Sequence, residues 1–251
     1  MTLELASRDI QGRYRGASLG MAWSLLSPLL MAGIYTLAFG FILKSRWPGA
    51  ESTSDFALIL FLGLVVHGLF AEVLTRSPQL IVANTNLVKR IIFPLEILPW
   101  TAVIAALFHT CANSLVFLVL MLLMHGGIPW TAILLPLVLL PLILLSVGIG
   151  WFLSALGVFL RDIGQIMGVV ATALLFLSSA IVPVSTLPVD YQFVFRMNPL
   201  TFIIDQAREV AYWGRLPDWS GLLVYALCAF VVAMLGLMFF RKLRRGFADV
   251  L

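Results

Sequence analysis

"AILLPLVLLPLILLSVGIGWFL", Ala132–Leu153, runs for 22 residues without a charge. A helix needs about 20 apolar residues to cross the hydrocarbon core of a bilayer, and a spanning strand would alternate polar and apolar side chains, as this stretch does not. It reads as a membrane-spanning helix. Working outward, similar stretches recur at roughly 18–43, 56–76, 97–124, 131–160, 164–182 and 220–240; they qualify as spans or nearly so. The expected fold is all-α, a polytopic membrane protein with six transmembrane helices. No 20–50-residue repeat and no low-complexity linker divides the chain, so residues 1–251 are expected to form one transmembrane domain.

Composition agrees. Of 251 residues 61% are hydrophobic and 11% charged, with a mean hydropathy of +1.05. A soluble domain keeps about 25% of its residues charged. The net charge of +4 follows topology. With the N-terminus inside, cytoplasmic segments hold Arg8, Arg13, Arg15, Lys89, Arg90, Arg161, Arg241, Lys242, Arg244 and Arg245. The outside holds Lys44, Arg46, Arg196, Arg208 and Arg215; Arg76 lies at a cytoplasmic span end, so the split is 10 or 11 against 5. Positive residues are retained in the cytoplasm, so both termini are expected there. Contact with anionic lipid accounts for the remaining basicity better than nucleic acid does. The first apolar run is too long for the core of a cleavable signal peptide. Cys111 and Cys228 fall inside predicted spans, which speaks against a disulfide framework and against a metal site.

Residues 1–17 are too polar to insert. Leu3, Leu5, Ala6 and Ile10 form an apolar strip beside Arg8, Asp9, Arg13 and Arg15, consistent either with a helix lying in the cytoplasmic interface or with a basic flank that orients the first span. In that span Pro28 removes a backbone hydrogen bond toward Ser24, so a kink is expected. Ser24, Ser27, Met31 and Tyr35 share one face, for helix contact or channel lining. Glu72 and Arg76, one turn apart, read as a structural ion pair. His67 and His109 have no Cys, Asp, Glu or His at ligand spacing and read as buried hydrogen-bonding groups. Gln165, Gly168, Thr172, Phe176 and Ser179 form a second stripe too polar for lipid.

After residue 182 the chain is long, aromatic and proline-rich. Asn198 and Pro199 signal a helix start, and Gly214 a stop. That helix is too short and too charged to span, because Asp205, Arg208 and Glu209 make full insertion costly. The segment 183–214 is expected to be re-entrant or interfacial on the outer face and to act as an outer gate.

Several chemistries have no sequence support. No Lys has the context of a phosphate-binding loop, and no HExxH or paired nucleophile and base is present. The chain is not expected to be an enzyme, nor to bind a cofactor or metal itself.

"RDIQGRYRGASLGMAWSLLSPLLMAGIYTLAFG", "NTNLVKRIIFPLEILP", "RDIGQI" and "NPLTFIIDQAR" occur in this order. Together they resemble the membrane (permease) subunit of bacterial polysaccharide ABC exporters of the O-antigen or teichoic acid type, over nearly the whole chain. The resemblance implies a homodimeric permease in the inner membrane, docked to two copies of a separate ATPase that binds ATP and magnesium. It also implies an amphipathic interface helix, a coupling helix at 84–94 and short re-entrant helices between spans five and six. In the coupling segment Asn86, Leu87, Val88, Lys89, Arg90, Ile91, Phe93 and Pro94 are the candidates: Leu87, Val88, Ile91 and Ile92 offer an apolar surface, and the two cations its rim. Pro94 and Pro99 set the angle to the third span.

The implied substrate is a lipid-linked polysaccharide, most simply O-antigen. Sugar rings stack on aromatic faces, so Tyr35, Phe39, Trp151, Phe159 and Phe176 join Ser24 and Ser27 as candidate channel lining. Capsule, teichoic acid and small-lipid exporters remain alternatives. From another class, so does a passive channel or scramblase, which would have no use for a coupling segment.

Overall fold

The computed structural model describes residues 2–14, 16–42, 47–50, 52–88 and 93–251. Among them every regular element is helical and there is no strand. Helix α1 (Thr2–Tyr14) precedes α2 (Trp23–Tyr35), which continues into π-helical turns at Thr36–Ile42. Helix α3 (Thr53–Arg76) leads through short turns and α4 (Thr85–Val88) to α5 (Leu98–His125). Then follow α6 (Leu135–Phe159), α7 (Ile163–Phe176), α8 (Val189–Met197), α9 (Pro199–Ala211), α10 (Trp219–Leu243) and α11 (Phe247–Val250).

Five helical segments among the described residues are long and apolar enough to cross a membrane: Gly20–Ala38, Thr53–Gln79, Leu95–His125, Trp130–Phe159 and Trp219–Gly246. Helix α3 is the central post, with Ile59, Leu60, Leu62 and Val66 fully buried. Its N-terminal end is closed by a reciprocal cap in which Asp55 N donates to Ser52 Oγ (3.1 Å) and Ser52 N to Asp55 Oδ2 (2.9 Å). That arrangement satisfies two otherwise orphaned amides. Helices α6 and α10 approach backbone to backbone, because a Cβ at Gly148 would lie 2.6 Å from Ala233 Cα and one at Gly236 would strike the Gly148 carbonyl. Small residues are what allow such proximity where lipid supplies no hydrophobic drive. At the opposite end from the Ser52 cap, Glu96 Oε1 accepts from Arg244 Nη1 (2.6 Å), tying the start of α5 to the end of α10.

One expected span differs. Residues 164–182 do not form a continuous helix, because α7 stops at Phe176 after 14 residues, about 21 Å at 1.5 Å per residue against a hydrocarbon core of about 30 Å. Side chains intercept the helix end. Asn198 Nδ2 donates to the carbonyls of Leu174 (2.8 Å) and Leu177 (3.0 Å), while Ser178 Oγ donates to Leu175 O (2.9 Å) and accepts from Ala180 N (3.2 Å). With the terminal carbonyls satisfied, the chain turns inward and buries Ser178, Ser179, Ala180 and Ile181,.

Candidate functional site

Two polar structures stand inside this apolar bundle. The first lies between α1, α2, α3 and α5 and surrounds a cavity of about 880 Å³, within the 300–1,000 Å³ range usual for ligand sites. Its centre is a chain of side chains from three helices. Glu72 Oε1 pairs with Arg76 Nη1 at 2.9 Å, Glu72 Oε2 meets His109 Nδ1 at 2.8 Å, and His109 Nε2 meets the Tyr14 hydroxyl at 3.0 Å. A carboxylate only accepts, so Nδ1 carries a proton, and in the neutral imidazole Nε2 then accepts from Tyr14. The chain fixes α1 to α5 and α5 to α3. It also compensates a carboxylate that would be costly alone at this depth.

The Glu72–Arg76 pair is as expected from its spacing, but His109 is not solitary. Its acidic partner comes from another helix, 37 residues away, which no spacing rule within one segment detects. His67 bonds the Ala171 carbonyl at 2.9 Å, joining α3 to α7. Ser24 and Ser27 line the cavity with Trp23, Thr75, Thr101 and Asn113. Among the described residues no three His, Cys, Asp or Glu side chains group to hold a metal ion. The arrangement is a polar chamber inside an otherwise apolar bundle.

The second structure is built by α9. Arg208 is 2% exposed. Its Nε and Nη2 donate to Ile59 O (3.1 and 3.0 Å), Nη1 to Ser179 O (2.6 Å) and Nη2 also to Ala180 O (3.0 Å). The guanidinium lies 4.2 Å from the Trp47 ring centroid and Asp205 Oδ1 is 3.6 Å away. The planar fork makes four bonds from three nitrogens to three carbonyls, whereas a lysine has only three donors, all on one nitrogen,. The space is made by α3, since a Cβ at Gly63 would lie 2.6 Å from Arg208 Nη2. Asn198 caps α9 by accepting from Leu200 N (2.9 Å) while its amide closes α7, so one side chain ends one helix and starts the next. Pro199 is the first residue of α9. Glu209 pairs with Arg215 at 3.6 Å rather than with Arg208. Arg208 thus clamps α9 to α3 and to the turn after α7.

The other singled-out residues are dispersed. Trp151 is buried, donates from Nε1 to Glu96 O (2.9 Å) and meets Trp100 edge-on. Tyr35 is half-buried, Phe159 packs near Phe247, and Phe176 is exposed at the end of α7. In α1 Ala6 and Ile10 are buried and Arg8 is exposed, while Arg15 and the side chains of Asp9 and Arg13 lie outside the described residues, as does the side chain of Phe39. In the bend 84–94 Lys89, Arg90, Ile91 and Ile92 lie outside them too. Leu87, Val88 and Phe93 are half-buried against the protein's own core, whereas Asn86 and Pro94 are exposed. The clamp was missed in the sequence because its acceptors are backbone carbonyls, which carry no residue signature.

Residues 2–212 match the model of the ABC-2 type transporter family. The chain is 26% identical to the O-antigen export system permease protein RfbA of Myxococcus xanthus, over 99% of this chain and 94% of that protein. It is 24% identical to the protein of the same name from Klebsiella pneumoniae, over 98% and 93%. It is 28% identical to the polysialic acid transport protein KpsM of Escherichia coli, over 93% and 90%.

Proposed function

We propose, starting from a chain that belongs to the ABC-2 type transporter family, that this protein is the permease subunit of an ATP-driven exporter of a lipid-linked polysaccharide, most simply O-antigen. The observation that carries the reading is similarity from end to end, over 99% of the chain, to an O-antigen export permease. A capsule-type glycan is the second reading, favoured by the similarity to a polysialic acid transport protein over 93% of the chain.

In this reading the permease sits in the bacterial inner membrane with both termini cytoplasmic. The five long helices are joined by a sixth passage made of α7 and the turn after it, with α8 and α9 re-entrant from the outer face. Two copies form the channel, and two copies of a separate ATPase supply ATP and magnesium chemistry. The bend 84–94 receives the ATPase stroke, with exposed Asn86 toward the partner and Leu87 and Val88 passing the load into the core they pack against. Helix α1 feels the same stroke and is bonded through Tyr14 and His109 to Glu72. Ser24 and Ser27 offer hydroxyls to a hydrated path, and Tyr35, Phe159 and Phe176 are available for sugar stacking along it.

Deleting the gene tests this. The expected result is loss of surface polysaccharide and accumulation of lipid-linked glycan in the cytoplasm, reversed by the gene on a plasmid. Normal surface polysaccharide in the deletion strain would overturn it.

A further inference from the structure

One seam of the fold changes character along its length as an amphiphile does. It is walled by α2, α3 and α5. On α2 the residues Ser24, Pro28, Ala32 and Thr36 follow at four-residue intervals and form one stripe. The first two line the 880 Å³ polar cavity, and the last two line an apolar groove of about 350 Å³ walled also by Phe41, Phe61 and Met124. The polar and apolar compartments are therefore consecutive on a single helix face.

Arg8 stands at the mouth of the polar compartment, with Glu4 one turn before it. Arg8 lines the cavity and both shallower recesses beside it, one walled with Glu4, Ser7 and Gln11 and the other with Tyr14 and Met21. It makes no ion pair among the described residues, and it projects from a helix whose opposite face, Ala6 and Ile10, is buried. A guanidinium at the depth of lipid headgroups attracts phosphate. Further in, Asn113 Oδ1 is buried in the cavity wall without a hydrogen-bond donor, and Ser24, Ser27, Thr75 and Thr101 add hydroxyls. A hydroxyl-bearing head, alone or with ordered water, satisfies such a lining.

We infer that this seam is a binding site for an anionic phospholipid of the surrounding membrane, its phosphate at Arg8, its polar head in the cavity and one hydrocarbon chain in the groove. Other occupants fit less well. A glycan without its lipid, like free phosphate, would leave the hydrocarbon groove empty, and a partner helix would have to bury its apolar side against Ser, Thr and Asn; the lipid-linked glycan shares the phosphate and the hydrocarbon, and retention of phosphatidylglycerol by protein free of glycan tells the two apart. The stripe from Ser24 to Thr36 and on to Phe41 is about 26 Å long at 1.5 Å per residue, enough for a head and most of an acyl chain. The inference rests on α1 lying in the cytoplasmic interface and not on which glycan is exported.

The test uses the full chain purified with its ATPase and native mass spectrometry after addition of phosphatidylglycerol or phosphatidylcholine. The expected result is one tightly retained phosphatidylglycerol per permease chain, at least fivefold above phosphatidylcholine. Arg8→Gln should bring the two lipids level, because the exposed side chain contributes charge and not packing. Gly33→Leu should remove retention of both. Gly33 lines the groove and an added Cβ there meets nothing within 4 Å, so the larger side chain occupies the chain site without disturbing the helices. Equal retention of the two lipids by the unmodified protein, or retention unchanged in both variants, overturns the inference. Either result leaves the export reading standing, since that is read from surface polysaccharide.

Discussion

Gly63→Ala isolates the clamp between α9 and α3. In an ordinary helix interior this change stabilises by about 1 kcal/mol, because glycine is the poorer helix former. Here the new methyl would lie 2.6 Å from Arg208 Nη2, 3.0 Å from Ala180 O and 3.1 Å from Ala180 Cα. The guanidinium must move, and Nη2 then gives up its bonds to Ile59 O and Ala180 O, both 3.0 Å. Hydrogen bonds to a charged group are worth about 1.5–3 kcal/mol each, so the loss exceeds the helix gain. We expect a net destabilisation of about 2–4 kcal/mol, a drop of roughly 5–15 °C in Tm for a chain of this size. The assay is thermal unfolding in detergent followed by monomer recovery on size exclusion, for Gly63→Ala, Arg208→Met and the double variant. In the Arg208→Met background Gly63→Ala should cost much less, since only the tight approach to Ala180 remains and the coupling is confined to contacting residues. A Tm unchanged by Gly63→Ala, or an equal drop in both backgrounds, would refute the clamp.

Four further outcomes are expected. Asn86→Trp, at an exposed position of the bend 84–94, should reduce copurification of the ATPase or uncouple ATP hydrolysis from export; normal values of both would remove the bend from the coupling path. Single cysteines near residues 50 and 189 should react with an impermeant thiol reagent from outside and one near 248 should not; outside labelling at 248 contradicts the topology. A cysteine bridge from Met197, 67% exposed, to the outer end of α2 should stop export if 183–214 is a gate; export at the normal rate with the bridge complete makes it a static plug. The Asp218 carboxylate is held below its ordinary pKa by the Ser220 hydroxyl and the Gly221 amide. A depressed folded pKa contributes stability above the unfolded value, near 3.9, that is lost as pH falls through the folded one. The Tm difference between the protein and Asp218→Ala should thus be constant from pH 5 to 8 and close at more acidic pH; a difference persisting unchanged below that range would contradict the cap.

Length and hydropathy made α3, α5, α6 and α10 legible, because a run such as Ala132–Leu153 has few alternatives to a spanning helix. Capping chemistry made the start of α9 legible from Asn198 and Pro199, and i,i+4 geometry the Glu72–Arg76 pair. What stayed hidden depends on contacts between distant segments. Hydropathy continues through Ala180 and Ile181, and the Asn198 amide, which with Ser178 marks where α7 ends, arrives from 21 to 24 residues downstream. Tyr14 meets His109 across 95 residues, and Arg208 meets Ile59 across 149. The π-helical turns at Thr36–Ile42 carry no signature in the segment TLAFGFI.

The central claim is ATP-driven movement of a lipid-linked polysaccharide through this chain. Its most direct test is a vesicle with the cytoplasmic face outward that holds the permease and its ATPase, with the lipid-linked glycan and ATP added outside. The account predicts glycan protected inside the vesicle only when permease, ATPase and hydrolysable ATP are all present. Equal protection without the ATPase would contradict it and identify a passive pore, and no protection with all three present would contradict it as well.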